Sequence, residues 1–484
     1  MTLTQSSLLL LGVLIAVIIY ISYRFQKSSD DTDYFLGGRQ LPAWLLAITF
    51  IASWWGGGSA IDLVDISNSQ GISAFWIYGM SVLFSSFLLY LFAAKIRRIG
   101  GISQAQLMAK RYNANSGKIL SVFIFISMIL NAAIQIVVIG MFFQGFYGIP
   151  YLTSGALGLI VVLIYSYFGG FKAVVFTDLL QFIFFLISSL VLFYIVHDGF
   201  QGWEHLGNKA LSLEKQGYLD FFYNWKQNLS FVITFGAAWM IQANVWQRIS
   251  ASKTPNDAKR MMKISFIAFF FLYAIVVVTG VLSLNQFEAK PEGGIVINLI
   301  KGLKNPWVAS ILFIGLCSAI MSTLDSLLNT AAMTFTVDLY HDVLRPKASD
   351  KELVWAGRMS TIIAGIAAFL IAYLIPSVLK ISWIASDFIT TGVFIPLILG
   401  FFWSRGSSRA ANITMLFGLL FSLANLMEYL NYFNVFPWET ASLTQVLVGL
   451  SASLMLYILI SLLDKNHSIE KAVFFKKATE NRDI

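Results

Sequence analysis

An apolar run from Trp307 to Val337 carries the stretch Cys317-Ser318-Ala319-Ile320-Met321-Ser322-Thr323-Leu324-Asp325-Ser326. On a helix, Ala319, Ser322 and Thr323 stand at i, i+3 and i+4 and share one face. Two hydroxyls beside a backbone carbonyl are hard oxygen ligands, and Asp325 on the neighbouring strip adds a carboxylate. That set lets a small cation exchange its water for protein oxygens. Hydroxyls alone in an apolar helix more often bond back to their own helix or tie helices together. The ionisable Asp325 is what turns the reading toward a site. A second carboxylate, Asp178, follows Thr177 and precedes Gln181 where another apolar run begins. It reads either as helix capping, with Thr177 as the cap and Asp178 favourable to the dipole, or as a cation ligand on an exit path.

The elements that position these residues follow from composition. The 484 residues are 57% hydrophobic and 12% charged, with mean hydropathy +0.74. A soluble chain carries about 25% charged residues. About thirteen runs reach the ~20 residues needed to cross a bilayer as helices, too long and continuous for barrel strands. They lie near 5–23, 43–67, 73–94, 118–147, 151–168, 175–196, 227–247, 262–284, 306–337, 355–375, 382–403, 410–430 and 441–463. The fold class is an all-α polytopic membrane protein. Most of the 33 Lys and Arg fall on one side of these spans, which predicts the N-terminus outside, the C-terminus in the cytoplasm, and a plasma-membrane location. Met1 to Ser7 hold no basic residue, so no secretory signal peptide is read there. The single Cys317 makes no intramolecular disulfide, and four scattered His suggest no transition-metal cluster. The net charge of +8 reflects this topology and implies no nucleic-acid partner. Neither a long soluble domain nor a convergent nucleophile set is present, so the chain is not read as an enzyme.

Two spans look broken. The second opens at Leu41-Pro42 and meets Ser53-Trp54-Trp55-Gly56-Gly57-Gly58-Ser59. Three glycines in a helix cost near 1 kcal/mol each against Ala, but in a bundle they allow an unwound segment whose carbonyls face a cavity. Close helix packing is the alternative. Asp62 and Asp65 follow at i and i+3. The seventh span contains Gly236-Ala237-Ala238-Trp239, then Gln242 and Asn244, and ends at Trp246-Gln247-Arg248. A break at Gly236–Ala238 lies five spans after the first. Five plus five spans of opposite topology form an inverted repeat with its site between two broken helices. The domains expected are an extra helix over 1–30, a core over 40–405 (repeats 40–200 and 226–405), two helices over 409–463, and a cytoplasmic tail over 464–484. Asn131 and Gln135, i and i+4 in the fourth span, either face the bundle or bond a neighbour. Asp387 stands near the start of the eleventh span. The loop 198–226, with Trp203, Phe221, Phe222 and Trp225, reads as an amphipathic cap. No Lys or Arg is expected deep in the spans. Asp62, Asp65 and Asp325 tilt the solute toward a neutral polyhydroxy compound or a cationic amine.

These residues resemble the sodium:solute symporter family from about Asp33 to Phe402. The resemblance rests on Tyr165-Ser166 with Gly169-Gly170-Phe171-Lys172-Ala173, on Thr177-Asp178-Leu179-Leu180-Gln181, on Phe35-Leu36-Gly37-Gly38-Arg39, and on Ala319 with Ser322-Thr323. It implies the leucine-transporter fold with an extra N-terminal helix. It also implies Na+ as coupling ion, held by the carbonyls of Ala52, Trp55 and Ala319 and the hydroxyls of Ser322 and Thr323. Asp178, with Asp325, would serve an additional cation or its exit. Within the family the text Ala52-Ser53-Trp54-Trp55-Gly56-Gly57-Gly58 and Ser322-Thr323-Leu324-Asp325-Ser326 looks nearest to the choline-transporter-like branch. Trp54 would then be a pocket aromatic, with Gly56, Gly57 and Trp239 beside the solute. The other cage positions fall on Asn131 and Gln242, amides rather than rings, which points to a solute read by hydrogen bonds. The function implied is sodium-coupled import of a small polar organic solute, neutral or cationic, by alternating access. The alternatives are a proton-coupled transporter of the same fold, with Asp178 or Asp325 as carrier, or a solute sensor that does not transport.

Overall fold

The computed structural model describes residues 1–25, 31–430, 436–439 and 442–464, apart from the side chains of 31–33. Every regular element among them is helical, as lipid demands of a chain whose backbone polar groups must be satisfied within each span. After α1 (Leu3–Arg24) come the first broken pair, α2 (Ala43–Trp54) and α3 (Leu63–Gln70), then α4 (Gly79–Ile99). A short α5 (Gln104–Arg111) leads into α6 (Ala114–Tyr147), α7 (Tyr151–Phe168), α8 (Phe171–His197) and α9 (Trp203–Ser212). The second broken pair is α10 (Trp225–Met240) and α11 (Ala243–Ala251). The chain ends with α12 (Pro255–Leu282), α13 (Ile295–Lys301), α14 (Pro306–Met333), α15 (Asp350–Leu374), α16 (Val378–Ile389), α17 (Ile395–Gly400), α18 (Ser408–Tyr429) and α19 (Leu443–Leu463).

Among the described residues, eleven helices are long and apolar enough to cross a membrane, or twelve with the bent α10–α11 pair as one span. The difference from thirteen arises at the second span. There α2 has only 12 residues, and 58–99 follows as one apolar, near-continuous helical run of 42. That run doubles back. Gly71, at φ 79°, ends α3, and the Tyr78 hydroxyl lies 3.5 Å from the Asp62 carboxylate. Sixteen residues of straight helix would hold these two about 24 Å apart.

The centre of the bundle is α14. Asn305 and Pro306 start it: the Asn305 carbonyl oxygen of the side chain accepts from the amides of Trp307 and Val308, and Pro occupies the position that needs no donor. Every residue from Leu312 to Met333 is buried, so its hydroxyls and Asp325 are packed among protein groups. The loop before α10 covers the α3–α4 turn: the carbonyls of Tyr218 and Phe221 accept from the Ile72 amide and the Trp76 indole, both at 2.9 Å. Lys215 donates to the Asn68 carbonyl in the last turn of α3 at 2.8 Å, and burial there pulls its pKa below the usual lysine value. The tail expected over 464–484 lies, from 465 on, outside the described residues.

Candidate functional site

The first break frees backbone groups next to α14. Helix α2 ends at Trp54, Trp55 leaves helical geometry, and the chain resumes helix with a π-type turn at Gly58–Asp62. The hydroxyls of Ser322 and Thr323 both reach the Ala52 carbonyl, at 3.0 and 3.2 Å. They also reach the Ala319 carbonyl one turn back, at 3.2 and 3.1 Å. Four neutral hard oxygens therefore converge from two helices, and each hydroxyl has its single O–H within reach of a carbonyl of its own helix and one of the neighbour. Trp55 is wholly buried, its ring packed on Tyr273 at 4.9 Å and Phe185 at 6.2 Å.

The glycines are there for close approach. A Cβ on Gly56 would lie 2.6 Å from the Gln135 side-chain oxygen, and one on Gly57 would lie 2.2 Å from Val138. At Gly58 the nearest atom is 3.5 Å away. Both explanations of the glycine run hold together: the helix breaks, and the break packs against α6. Gln135 accepts from the freed Gly57 amide at 3.0 Å, so it caps the second half of the broken helix.

The second break falls later than expected. Helix α10 runs unbroken through Gly236–Ala238 to Met240, and the chain bends by 45° at Ile241–Gln242 before α11. Gly236 packs against α4, where a Cβ would meet Phe84 at 2.7 Å and where the Ser85 hydroxyl donates to its carbonyl at 2.9 Å. The break is stable because side chains satisfy the carbonyls it frees: Trp246 donates to Met240 at 2.8 Å and Gln104 to Ile241 at 3.0 Å.

Between the two breaks lies a central cavity of about 70 Å³. Its lining includes Trp54, Gly56, Asn131, Trp239 and Gln242, together with Tyr78, Gln135 and Thr323. Gly57 is not part of it and faces Val138 instead. The Trp54 and Trp239 rings, one from each broken pair, lie 6.1 Å apart, and Tyr78 stacks on Trp239 at 6.0 Å. Asn131 spends its amide N–H on the Ser127 carbonyl of its own helix at 2.8 Å. Thr323 belongs both to this lining and to the oxygen cluster beside Ala52. No charged side chain lines the cavity among the described residues.

Asp178 does not start its helix. Gly170 is extended and α8 begins at Phe171, which places Asp178 two turns inside. The capping account fails with it: Thr177 donates back to the carbonyls of Ala173 and Val174, both at 3.0 Å. Asp178 instead takes a hydrogen bond from Thr49 of α2 and an ion pair from Arg248 of α11 at 3.4 Å, with both charged groups buried. Arg248 also donates to Ser326 at 2.8 Å and to the Asn244 carbonyl at 3.0 Å. The expectation of no deep Lys or Arg is thus overturned, because the bend at Gln242 turns α11 inward and carries Arg248 with it. Asp325 takes no part in the hydrogen bonds of Ser322 and Thr323 and accepts from Tyr165 at 2.9 Å. One oxygen of each carboxylate, Asp178 and Asp325, is buried without a hydrogen-bond partner among the described residues. The sequence pattern does not mark Arg248 or Thr49 as site residues, although Arg248 stands in the text that closes the seventh span; of the two readings of Gln135, facing the bundle and bonding a neighbour, both hold. Asp387 lies not at a helix start but in the last turn of α16, outside the lining of the central cavity, and accepts from Thr391 at 3.3 Å.

The profile of the sodium:solute symporter family matches residues 34–418. The chain is 27% identical to a sodium/glucose cotransporter of Vibrio parahaemolyticus, over 82% of this chain and 79% of that one. It is also 27% identical to a sodium/proline symporter of Haemophilus influenzae, over 85% and 84%. High-affinity choline transporter 1 of Drosophila melanogaster is 23% identical, over 92% and 76%, so these matches do not single out a choline branch. The fold matches a solved structure described as the substrate-bound outward-open state of a Na+-coupled sialic acid symporter, with TM-score 0.80 and 17% identity over 96% of this chain and 99% of that one.

Proposed function

The chain belongs to the sodium:solute symporter family, as a multi-pass, sodium-coupled symporter of small organic solutes, and from that premise we propose which residues carry the coupling. Sodium binds among the carbonyls of Ala52, Trp55 and Ala319 and the hydroxyls of Ser322 and Thr323. The observation that carries this reading is the convergence of the two hydroxyls on the Ala52 carbonyl. A hard cation takes neutral oxygens, and carbonyls at a helix break are free to turn toward it. Bound sodium would replace the hydroxyl-to-carbonyl bonds and hold α2 against α14. The solute occupies the adjacent cavity, against Trp54, Gly56, Asn131, Trp239 and Gln242. Thr323 touches both sites, so sodium favours the arrangement in which the solute cavity is formed. Such coupling is reciprocal and is limited by the difference in sodium affinity between the two states.

Asp178 and Asp325 serve an additional cation or its exit, supported by the unpaired buried oxygen on each. The solute is small, polar, and neutral or cationic: the cavity brings ring faces and amides, and offers no Lys or Arg to an acid. The basic residues favour an outside N-terminus and a cytoplasmic C-terminus in the cell membrane. Residues 40–200 and 226–405 form the two repeats, each opening on one broken pair, with 1–30 as the extra helix and 409–463 as two added helices. The test is thermal stability of the purified protein against sugars, amino acids and amines, with and without sodium. A solute that stabilises equally in both conditions would sink the proposed coupling between these sites.

A further inference from the structure

Beyond the central cavity lies a wider vestibule of about 640 Å³, and Val378 lines both. Its wall carries three carboxylates, Asp62, Asp65 and Glu292, and two ammonium groups, Lys290 and Lys301. Asp65 is fully occupied. Lys290 pairs with one of its oxygens at 2.9 Å, and the Ile295 amide at the start of α13 donates to the other at 2.8 Å. Lys301 donates to the Gly145 carbonyl at 2.6 Å. Glu292 is exposed. Asp62, one helical turn from Asp65, has no cation within pairing distance among the described residues, although the Lys290 ammonium that pairs with Asp65 also attracts it electrostatically. Its hydrogen-bond partner is the Tyr78 hydroxyl at 3.5 Å, a long and weak contact.

Tyr78 places this carboxylate at the threshold of the inner cavity. Its ring stacks on Trp239 at 6.0 Å and lines that cavity. Deeper in, Gln242 is 6% exposed, lines the cavity, and makes no side-chain hydrogen bond among the described residues, so its amide is left for a solute. A carboxylate outside any direct ion pair at the mouth, ring faces behind it and a free amide beyond form a graded path. A positive nitrogen is favoured by the carboxylate and then by the ring faces, whereas a carboxylate-only solute is repelled at the entrance.

We propose that Asp62 is a specificity-determining residue that admits solutes carrying a positively charged nitrogen, protonated or quaternary. This rests on the reading of the central cavity as the solute site. The test uses the full chain in proteoliposomes with Val378→Cys as reporter, since the native Cys317 is buried. The rate at which N-ethylmaleimide labels this position is measured in sodium with choline, ethanolamine, proline, glucose, or 3,3-dimethylbutan-1-ol, the uncharged isostere of choline. The ammonium compounds are expected to slow labelling at concentrations roughly tenfold or more below those needed for the isostere. Adding Asp62→Asn is expected to bring choline and its isostere together. Equal protection by the isostere or glucose, no protection by any ammonium compound, or an unchanged preference in Asp62→Asn would overturn the proposal. Sodium alone should change the labelling rate if the symporter site is correctly assigned. A sodium effect without an ammonium effect removes only the role of Asp62, whereas loss of both removes the site assignment. Retention of the sodium effect in Asp62→Asn shows that the variant is folded.

Discussion

The guanidinium of Arg248 lies 3.4 Å from the carboxylate of Asp178, and neither side chain is more than 1% exposed. Arg248 comes from the second broken helix and Asp178 from α8, so the pair ties the broken element to its neighbour. Removing one partner of a buried pair strands the other charge and costs about 3–5 kcal/mol. Asp178→Asn and Arg248→Met should each lower the melting temperature in lipid nanodiscs. The double variant should lose clearly less than the two single losses combined, because no charge is then stranded. Strictly additive losses would mean that the pair contributes no coupling. In liposomes, Asp178→Asn is also expected to slow turnover more than it weakens sodium binding.

Ser322→Ala combined with Thr323→Ala removes both hydroxyls from the Ala52 carbonyl. The double variant should fold and insert but lose its sodium-dependent stabilisation, which for one site at a hundred times Kd amounts to about 2.7 kcal/mol. Thermal shift or calorimetry against a sodium series reads this directly. An unchanged sodium response would place the ion elsewhere.

Gln135 caps the second half of the first broken helix through the Gly57 amide. Gln135→Ala leaves that amide buried and unpaired, at a cost of about 1–3 kcal/mol. Gly57→Ala should be worse, since its Cβ would sit 2.2 Å from Val138 on the facing helix. Val138→Ala in the same chain should restore part of the loss. Melting temperatures of the three variants decide it, and no rescue by Val138→Ala would remove the steric account.

Gln242 and Asn131 both line the central cavity, but only Gln242 has its amide uncommitted. A site built to bond a polar group loses that energy when the amide goes. Gln242→Ala should therefore raise the apparent KM for the transported solute about tenfold or more, and Asn131→Ala by less. Uptake driven by a sodium gradient, with solute concentration varied, compares the two. A larger effect at Asn131 would reverse the assignment, and no effect at either would end the polar-pocket reading.

Hydropathy alone determined that the chain is a helical membrane protein, because a span must be apolar along its whole length whatever it packs against. Periodicity likewise put Ala319, Ser322 and Thr323 on one helical face, and the glycines marked the first break, since both are properties of a short stretch of chain. The tertiary structure decided the rest. The second break sits at Ile241–Gln242 because Trp246 and Gln104 supply donors to the freed carbonyls there, and one of those donors is more than a hundred residues away in sequence. Thr177 has the form of a cap, but the extended Gly170 starts α8 at Phe171 and leaves it nothing to cap. Arg248 closes an apolar run and so reads as a boundary residue. Only the inward bend of α11, bringing it to Thr49, Asp178 and Ser326 from three other helices, makes it a buried partner.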